Sequence, residues 1–391
     1  MTDRPRSIRS RYALAAVALA TLAGTGLAAT PNAVAGPLAG AAAASAGTGG
    51  AGRVVASGLV SPRLLSFAPN GALYVAEAGA GGHGPCATGG DGSTVCLGMT
   101  GGITRIRDGH QRRVVRHLPS LGGGANPEAV GPADVLVRHG QMYISMGAGI
   151  DAKARHRLGT HARHLGQLVR STLAHPRHLR VVGDVVRFEY THNPDHSQGL
   201  DSDPTGFMRT GRSYVLADAG GNDLLRIQRG GAIHPMAVFP DRMVAYPQPP
   251  MGPGGMGPMQ AVPTAVARHH HAFFVSQLTG FPFPQGGANI YRMRPGHRPQ
   301  VWASGLTNVT DLAWHHGHLY AVQLADSGLL AAQGLPMGSL VQVHRGDNSS
   351  PQVVAGNLPA PYGVALRGHS AYVTTCSVCV GGGQVMRFTV R

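Results

Sequence analysis

The sequence predicts an all-β, six-bladed β-propeller, and three observations carry that expectation. Glycine (58) and proline (28) punctuate the 391 residues so densely that many short strands and turns fit better than long helices. Short strand types recur in a fixed order along the chain. The recurrences fall into six units of roughly 50 to 65 residues, a period that suits four-stranded blades packed in a ring.

The first strand type carries paired valines or similar residues and often closes on Gly-Leu or Asn-Leu. It stands at Val54–Leu59, Val114–Leu118, Val301–Leu306 and Val353–Leu358, with weaker copies at Val181-Val182 and Met236–Phe239. The second is a hairpin such as Leu64-Leu-Ser-Phe…Leu73-Tyr-Val, repeated from Val135, Gly206, Ala265, Leu312 and Val364. The third follows each hairpin, as in Ile103-Thr-Arg-Ile, Leu224-Leu-Arg-Ile and Ile290-Tyr-Arg-Met. One such sheet cannot bury both faces alone, so neighbours must cover them. The last unit ends after three strands, and the chain begins with a spare strand, Arg53 to Leu59. That strand is expected to join the last blade and close the ring.

Three segments follow from composition. Residues 1–35 read as a signal peptide: Arg4, Arg6, Arg9 and Arg11 precede an apolar run from Tyr12 to Ala29, and Ala33-Val-Ala35 fits a small-x-small cleavage site. Residues 36–52 are an Ala/Gly/Ser-rich flexible linker. Residues 53–391 are the propeller. No later stretch approaches the roughly 20 apolar residues of a membrane span, so none is expected in the mature chain. A secreted or extracytoplasmic location follows.

The net charge is +15, carried by a single lysine, Lys153, and many arginines. Removing residues 1–35 takes away four Arg and one Asp and leaves +12. A basic exported protein with 21 histidines is predisposed to bind anionic surfaces, increasingly so at low pH. Four cysteines, Cys86, Cys96, Cys376 and Cys379, favour disulfides in such a chain, here Cys86–Cys96 and Cys376–Cys379. Cross-pairing between the two loops is one rival and a four-cysteine zinc site another, though Cys86 and Cys96 lack the usual spacing for zinc.

Several segments resemble the ScyD/ScyE family of exported propeller proteins. They are Leu73-Tyr-Val-Ala-Glu-Ala-Gly, Asn193-Pro-Asp with Asp201-Ser-Asp-Pro, Val215-Leu-Ala-Asp-Ala-Gly-Gly-Asn-Asp-Leu-Leu, Leu278-Thr-Gly-Phe-Pro-Phe-Pro and Cys376-Ser-Val-Cys379. The resemblance spans essentially 53–391 and implies a six-bladed, NHL-like propeller. It implies little chemistry, because fold alone does not carry function. The chain departs from the pattern where Gln277 and Gln323 replace Glu, and where most hairpin turns are basic rather than acidic.

Ends of second strands are expected to ring the central channel: Glu77, Ser145, Asp218, Gln277, Gln323 and Thr375. Nearby loops add Asp195, Asp201, Asp203, Asn222 and Asp223. Clustered carboxylate and amide oxygens suit a hard cation such as Ca²⁺, or a small polar ligand such as a sugar. The competing reading is that these oxygens cap turns. Glu77 facing Asp218 would make an acid/base pair for a hydrolase or lactonase-like enzyme. Against an enzyme, the sequence carries no Gly-x-Ser-x-Gly, His-Glu-x-x-His or phosphate-cradling motif. Gly220-Gly221 reads as a sharp turn.

The remaining charge falls on turns. Arg138, Arg212, Arg268, His270, His316 and Arg298 lie in turns that the propeller rule assigns to one face, opposite the oxygen-rich mouth. An anionic cell-surface polymer is the partner such a face fits. Nucleic acid is not expected, given export and few aromatics. A binding or scaffold role at the cell exterior is therefore the first functional reading.

Overall fold

The computed structural model describes residues 52–123, 126–294 and 296–390; the segment read as a signal peptide and nearly all of the linker lie outside them. The fold is a β-propeller. Among the described residues, six sheets carry four or more antiparallel strands each. Their innermost strands are Pro62–Phe67, Pro132–Arg138, Pro204–Thr210, Pro263–His269, Val309–His315 and Val364–Arg367, which number sheets 1 to 6. Four of these strands open on proline, at a strand's first residue, where its missing N–H costs no ladder bond. Arg53–Leu59 pairs antiparallel with Gly383–Thr389 and supplies the outer strand of sheet 6.

Side chains stitch each sheet to the next. Ser66 donates to the Val135 carbonyl. Ser145 Oγ donates to Thr205 O (2.5 Å), Thr205 Oγ1 to Pro263 O (3.4 Å) and Thr264 Oγ1 to Val309 O (2.8 Å). Thr310 Oγ1 reaches Tyr362 O (2.6 Å), and Thr374 Oγ1 returns to Arg63 O (2.8 Å). These contacts pass through sheets 1 to 6 in turn and come back to sheet 1. Outside this belt the sheets diverge, and the core is divided among their interfaces. Tyr74, Ile103, Val135 and Ile144 fill the gap between sheets 1 and 2. Phe274 packs with Trp302 and Trp314 between sheets 4 and 5.

Two short helices interrupt the all-β pattern within the second unit. Asp151 caps α1 (Ala152–Arg157), accepting from Ala154 N. Asp184 caps α2 (Val185–His192), accepting from Arg187 N. The start of α2, Val185-Val-Arg-Phe, is rich in β-branched and aromatic residues and does not read as a helix in sequence. Among the described residues no helix is long and apolar enough to cross a membrane.

Asp134 and Asp311 hold equivalent positions in sheets 2 and 5. Each accepts from the next amide (Val135 N 2.7 Å; Leu312 N 2.8 Å) and from the following sheet's inner strand (Phe207 N 3.1 Å; Val364 N 2.8 Å). Burial pushes Asp134 from 3.8 up to about 6 despite these donors, and Asp311 rises too. A folded-state pKa raised this way favours the protonated form. Its contribution is full below the unfolded value and is lost as pH rises through about 6. In urea titrations, the advantage of the wild type over Asp134→Asn should therefore shrink by up to about 3 kcal/mol between pH ~4 and ~7. A gap that does not change with pH would show that the group ionises freely in the folded protein.

Candidate functional site

Glu77, Asp218, Gln277 and Gln323 do share one register. They pair with Pro62, Pro204, Pro263 and Val309, the first residues of their inner strands. They do not line the central cavity, because a second strand lies one layer outside the inner strand. Their oxygens act instead as latches on backbone. Glu77 accepts from Val60 N (2.8 Å), Thr104 Oγ1 (2.5 Å) and Arg113 Nε (3.0 Å), and Arg113 completes an ion pair. Gln323 Oε1 accepts from Thr307 N (2.7 Å), and Gln277 Oε1 from Asn289 N (3.1 Å). Asp218 Oδ1 gathers Asp203 N (2.6 Å), Gly220 N (3.2 Å) and Gly221 N (3.3 Å), while Oδ2 takes Ser202 Oγ (2.6 Å). Thus the expected pairing of Glu77 with Asp218, Asn222 and Asp223 in one mouth site does not form; Glu77 belongs to sheet 1 and its carboxylate is spent there.

Asn222 is structural too. Its Oδ1 accepts from Val262 N (3.0 Å), its Nδ2 donates to Asp195 Oδ2 (3.1 Å), and its φ is +50°. Asn tolerates that left-handed backbone better than most residues. The neighbouring glycines have a different reason to be glycines. A Cβ on Gly220 would sit 2.8 Å from Asp201 O, and one on Gly221 2.8 Å from Glu189 Oε2.

The cavity of about 180 Å³ opens where all six sheets converge. Arg63, Thr205 and Thr264 face it from inner strands, with Ala148, Leu324 and Tyr362 from the loops beside the other three sheets. Of the residues expected at the mouth, Asp201 and Asp203 line it. Much of the wall is apolar: Val262, Leu278, Phe283, Leu324, Leu329 and Val378. Both disulfides form as expected, Cys86–Cys96 and Cys376–Cys379, with no free cysteine among the described residues. Each pins a segment that borders the cavity, Gly89 to Val95 on one side and Ser377-Val378 on the other.

Arg63 is the charged centre of this site, though it is only 6% exposed. Its guanidinium stacks 4.6 Å over the Tyr362 ring, donates to Ala129 O (2.7 Å) and lies 3.7 Å from Glu128 Oε1. Burial pushes Asp203 up to about 7, against the opposing pull of Ala148 N and Arg63, and pushes Asp201 up to about 6. Tyr362 rises to about 12, again through burial. Sequence reasoning missed Arg63, Glu128 and Tyr362. The one available signal was Arg63 itself, a charge in the otherwise apolar strand start Pro62-Arg-Leu-Leu65.

Arg138, Arg212, Arg268, Arg298, His270 and His316 are all exposed. Adjacent hairpin turns touch: Arg367 Nη1 donates to Gly71 O (2.9 Å), and His315 Nε2 lies 2.5 Å from Gly368 O. His270 and His271 form a turn, and His269, the last residue of its strand, stacks on Trp314 at 4.1 Å. Met251 and Met256 are exposed, while Met259 is buried.

No family model matches the chain, and no curated protein matches it. Solved structures align with it at low identity. Virginiamycin B lyase from Staphylococcus aureus is 9% identical over 84% of this chain and 95% of that one, with a TM-score of 0.44. PQQ-bound aldose sugar dehydrogenase from Streptomyces coelicolor is 14% identical over 87% and 97%, with a TM-score of 0.47. Likeness at this level carries neither activity nor ligand to this chain.

Asp218→Ala tests the latch role directly. It strands the Ser202 hydroxyl and three backbone N–H groups in a fully buried place. Equilibrium unfolding should show a loss of about 2–4 kcal/mol. An unchanged midpoint would return Asp218 to the list of free, ligand-facing groups.

Proposed function

We propose that the protein is an exported, six-bladed binding propeller of the ScyD/ScyE type that takes a small organic ligand at its central cavity. The observation that carries this reading is the buried Arg63–Tyr362 stack set against an apolar wall. That combination fits a ligand with an apolar body and one polar or anionic group, rather than the fully polar ligand expected from sequence. Disulfides fix two bordering segments before binding, which lowers the ordering cost of association. The targeting-type N-terminus and the disulfides support a location outside the cytoplasm. A hydrolase or lactonase reading is not favoured, because Glu77 and Asp218, its acid/base candidates, are each committed to structural hydrogen bonds.

The test is binding of anilinonaphthalene sulfonate, a dye with an apolar body and one anionic group. One dye per chain is expected, with affinity roughly tenfold weaker in Arg63→Gln, as befits loss of a charge-assisted hydrogen bond. Equal binding by the wild type, Arg63→Gln and Leu278→Asp would rule the cavity out.

The exposed arginines and histidines support a second contact, with an anionic polymer at the cell exterior. Retention on such a polymer should fall with salt and rise as pH drops toward ~5, where histidines charge. The triple variant R138S/R212S/R268S should elute at clearly lower salt; unchanged elution would remove this part of the reading.

A further inference from the structure

Where the ring closes, sheets 6 and 1 part around a hollow of about 610 Å³ beside the turns at Gly71 and Gly368-His369. Register decides which side chains enter it. Arg367 pairs with Ser370, Ser370 with Thr389, and Tyr372 with Arg387, across the strands Val364–Arg367, Ser370–Thr375 and Gly383–Thr389. Cross-strand partners share a face, and so do residues two apart along one strand. All five side chains therefore stand on one face of sheet 6. It is the face that packs on sheet 1, where Phe67 meets Tyr372 edge to face at 5.1 Å.

Two arginines of the hollow are held in place by the protein itself. Arg367 lies 5.5 Å over the Phe67 ring and donates from Nη1 to Gly71 O (2.9 Å). Gly71 has a φ of +81°, and a Cβ there would push the guanidinium away. Arg387 lies 5.9 Å over the Tyr372 ring and donates from Nε to Ser370 Oγ (2.9 Å). These contacts occupy only part of each guanidinium, which carries five N–H donors in a fixed fork. No carboxylate takes up the rest. None of the residues lining the hollow is acidic, and the ion pairs among the described residues involve neither arginine. Two cations that face one hollow without a counter-charge repel each other, and a bound anion reverses the sign of that interaction. His369 and Thr389 add further donors to the lining.

We infer that this hollow is a phosphate site, with Arg367 and Arg387 donating to the phosphate oxygens. A carboxylate carries one charge and two oxygens, which a single guanidinium fork can satisfy. A phosphate group offers more oxygens and up to two charges, which suits two forks. The volume leaves room for part of whatever carries the phosphate. The inference rests on the reading of an anionic contact given above and deepens it, yet it uses none of the turns at Arg138, Arg212 and Arg268. It also stands apart from the central cavity, whose lining shares no residue with this hollow. Because Phe67 and Gly71 belong to sheet 1 and both arginines to sheet 6, a bound phosphate would brace the seam at which the ring closes.

The experiment uses the purified full chain, titrated calorimetrically with sodium phosphate, with sodium chloride of equal ionic strength as the control. One phosphate per chain is expected, and the melting temperature should rise by about 5 °C at a hundredfold excess over the dissociation constant. R367Q/R387Q should bind at least tenfold more weakly, as loss of charge-assisted hydrogen bonds implies. Absence of both phosphate uptake and a melting shift beyond that in chloride would overturn the inference. So would undiminished affinity in the double variant. If the double variant does not fold, R387Q alone decides, since Arg387 is exposed and should be replaceable without unfolding. A parallel titration with dimethyl phosphate tells the source. Tighter binding of inorganic phosphate assigns a terminal or free phosphate, tighter binding of the diester assigns the bridging phosphates of a polymer, and either upholds the site. Loss of polymer retention with phosphate uptake intact removes the polymer reading alone; the reverse removes this site alone.

Discussion

The structure depends on a belt of hydroxyl-to-carbonyl hydrogen bonds between neighbouring sheets. Each sheet is apolar on both faces and marginal by itself, and a flat stack would leave two faces bare. Ser66, Ser145, Thr205, Thr264, Thr310 and Thr374 fix the distance between neighbours near the axis, where the sheets are closest. Small hydroxyl side chains suit that place because they fill little volume and satisfy carbonyls left over at strand ends. Farther out, where the sheets splay, aromatic side chains such as Phe274, Trp302 and Trp314 take over the filling.

The belt also explains the distribution of charge. Acids are scarce in this chain, yet they concentrate at the ends of strands around the mouth. Some are consumed as latches: Asp134 and Asp311 tie one sheet to the next, and Glu77 and Asp218 hold the entry into their own sheets. Others, Glu189 and Asp223, carry no such duty. A buried carboxylate that accepts backbone N–H groups is explained by the fold, whereas one that accepts none is not.

Much of the fold was legible because strand repeats are written in local pattern. Paired valines, Leu-Tyr-Val hairpins and Gly-Leu closures mark positions that need only their own neighbours to be understood. The register of Glu77, Asp218, Gln277 and Gln323 was legible for the same reason. Their role was not, since the donors they satisfy, such as Thr307 N for Gln323, belong to another part of the chain. Helix α2 was concealed by β-branched residues at its start, and with it Glu189. The need for glycine at 220 and 221 was visible, but its cause was close approach rather than the turn conformation itself; Asn222 takes the positive φ. Arg63 and Tyr362 meet only after the ring closes, so no spacing announced them.

The pairing of Arg53–Leu59 with Gly383–Thr389 has a consequence for how the molecule comes into being. Arg53–Leu59 must wait for Gly383–Thr389, more than three hundred residues later. Until then sheet 6 is short of strands and the gap between sheets 6 and 1 stands open, with Leu59, Leu65 and Val75 exposed. Contacts this distant in sequence form slowly, because loop-closure entropy opposes them, and the unpaired edge of the waiting strand invites association with other chains. A nascent chain of this design therefore gains from being kept apart from its copies until synthesis ends.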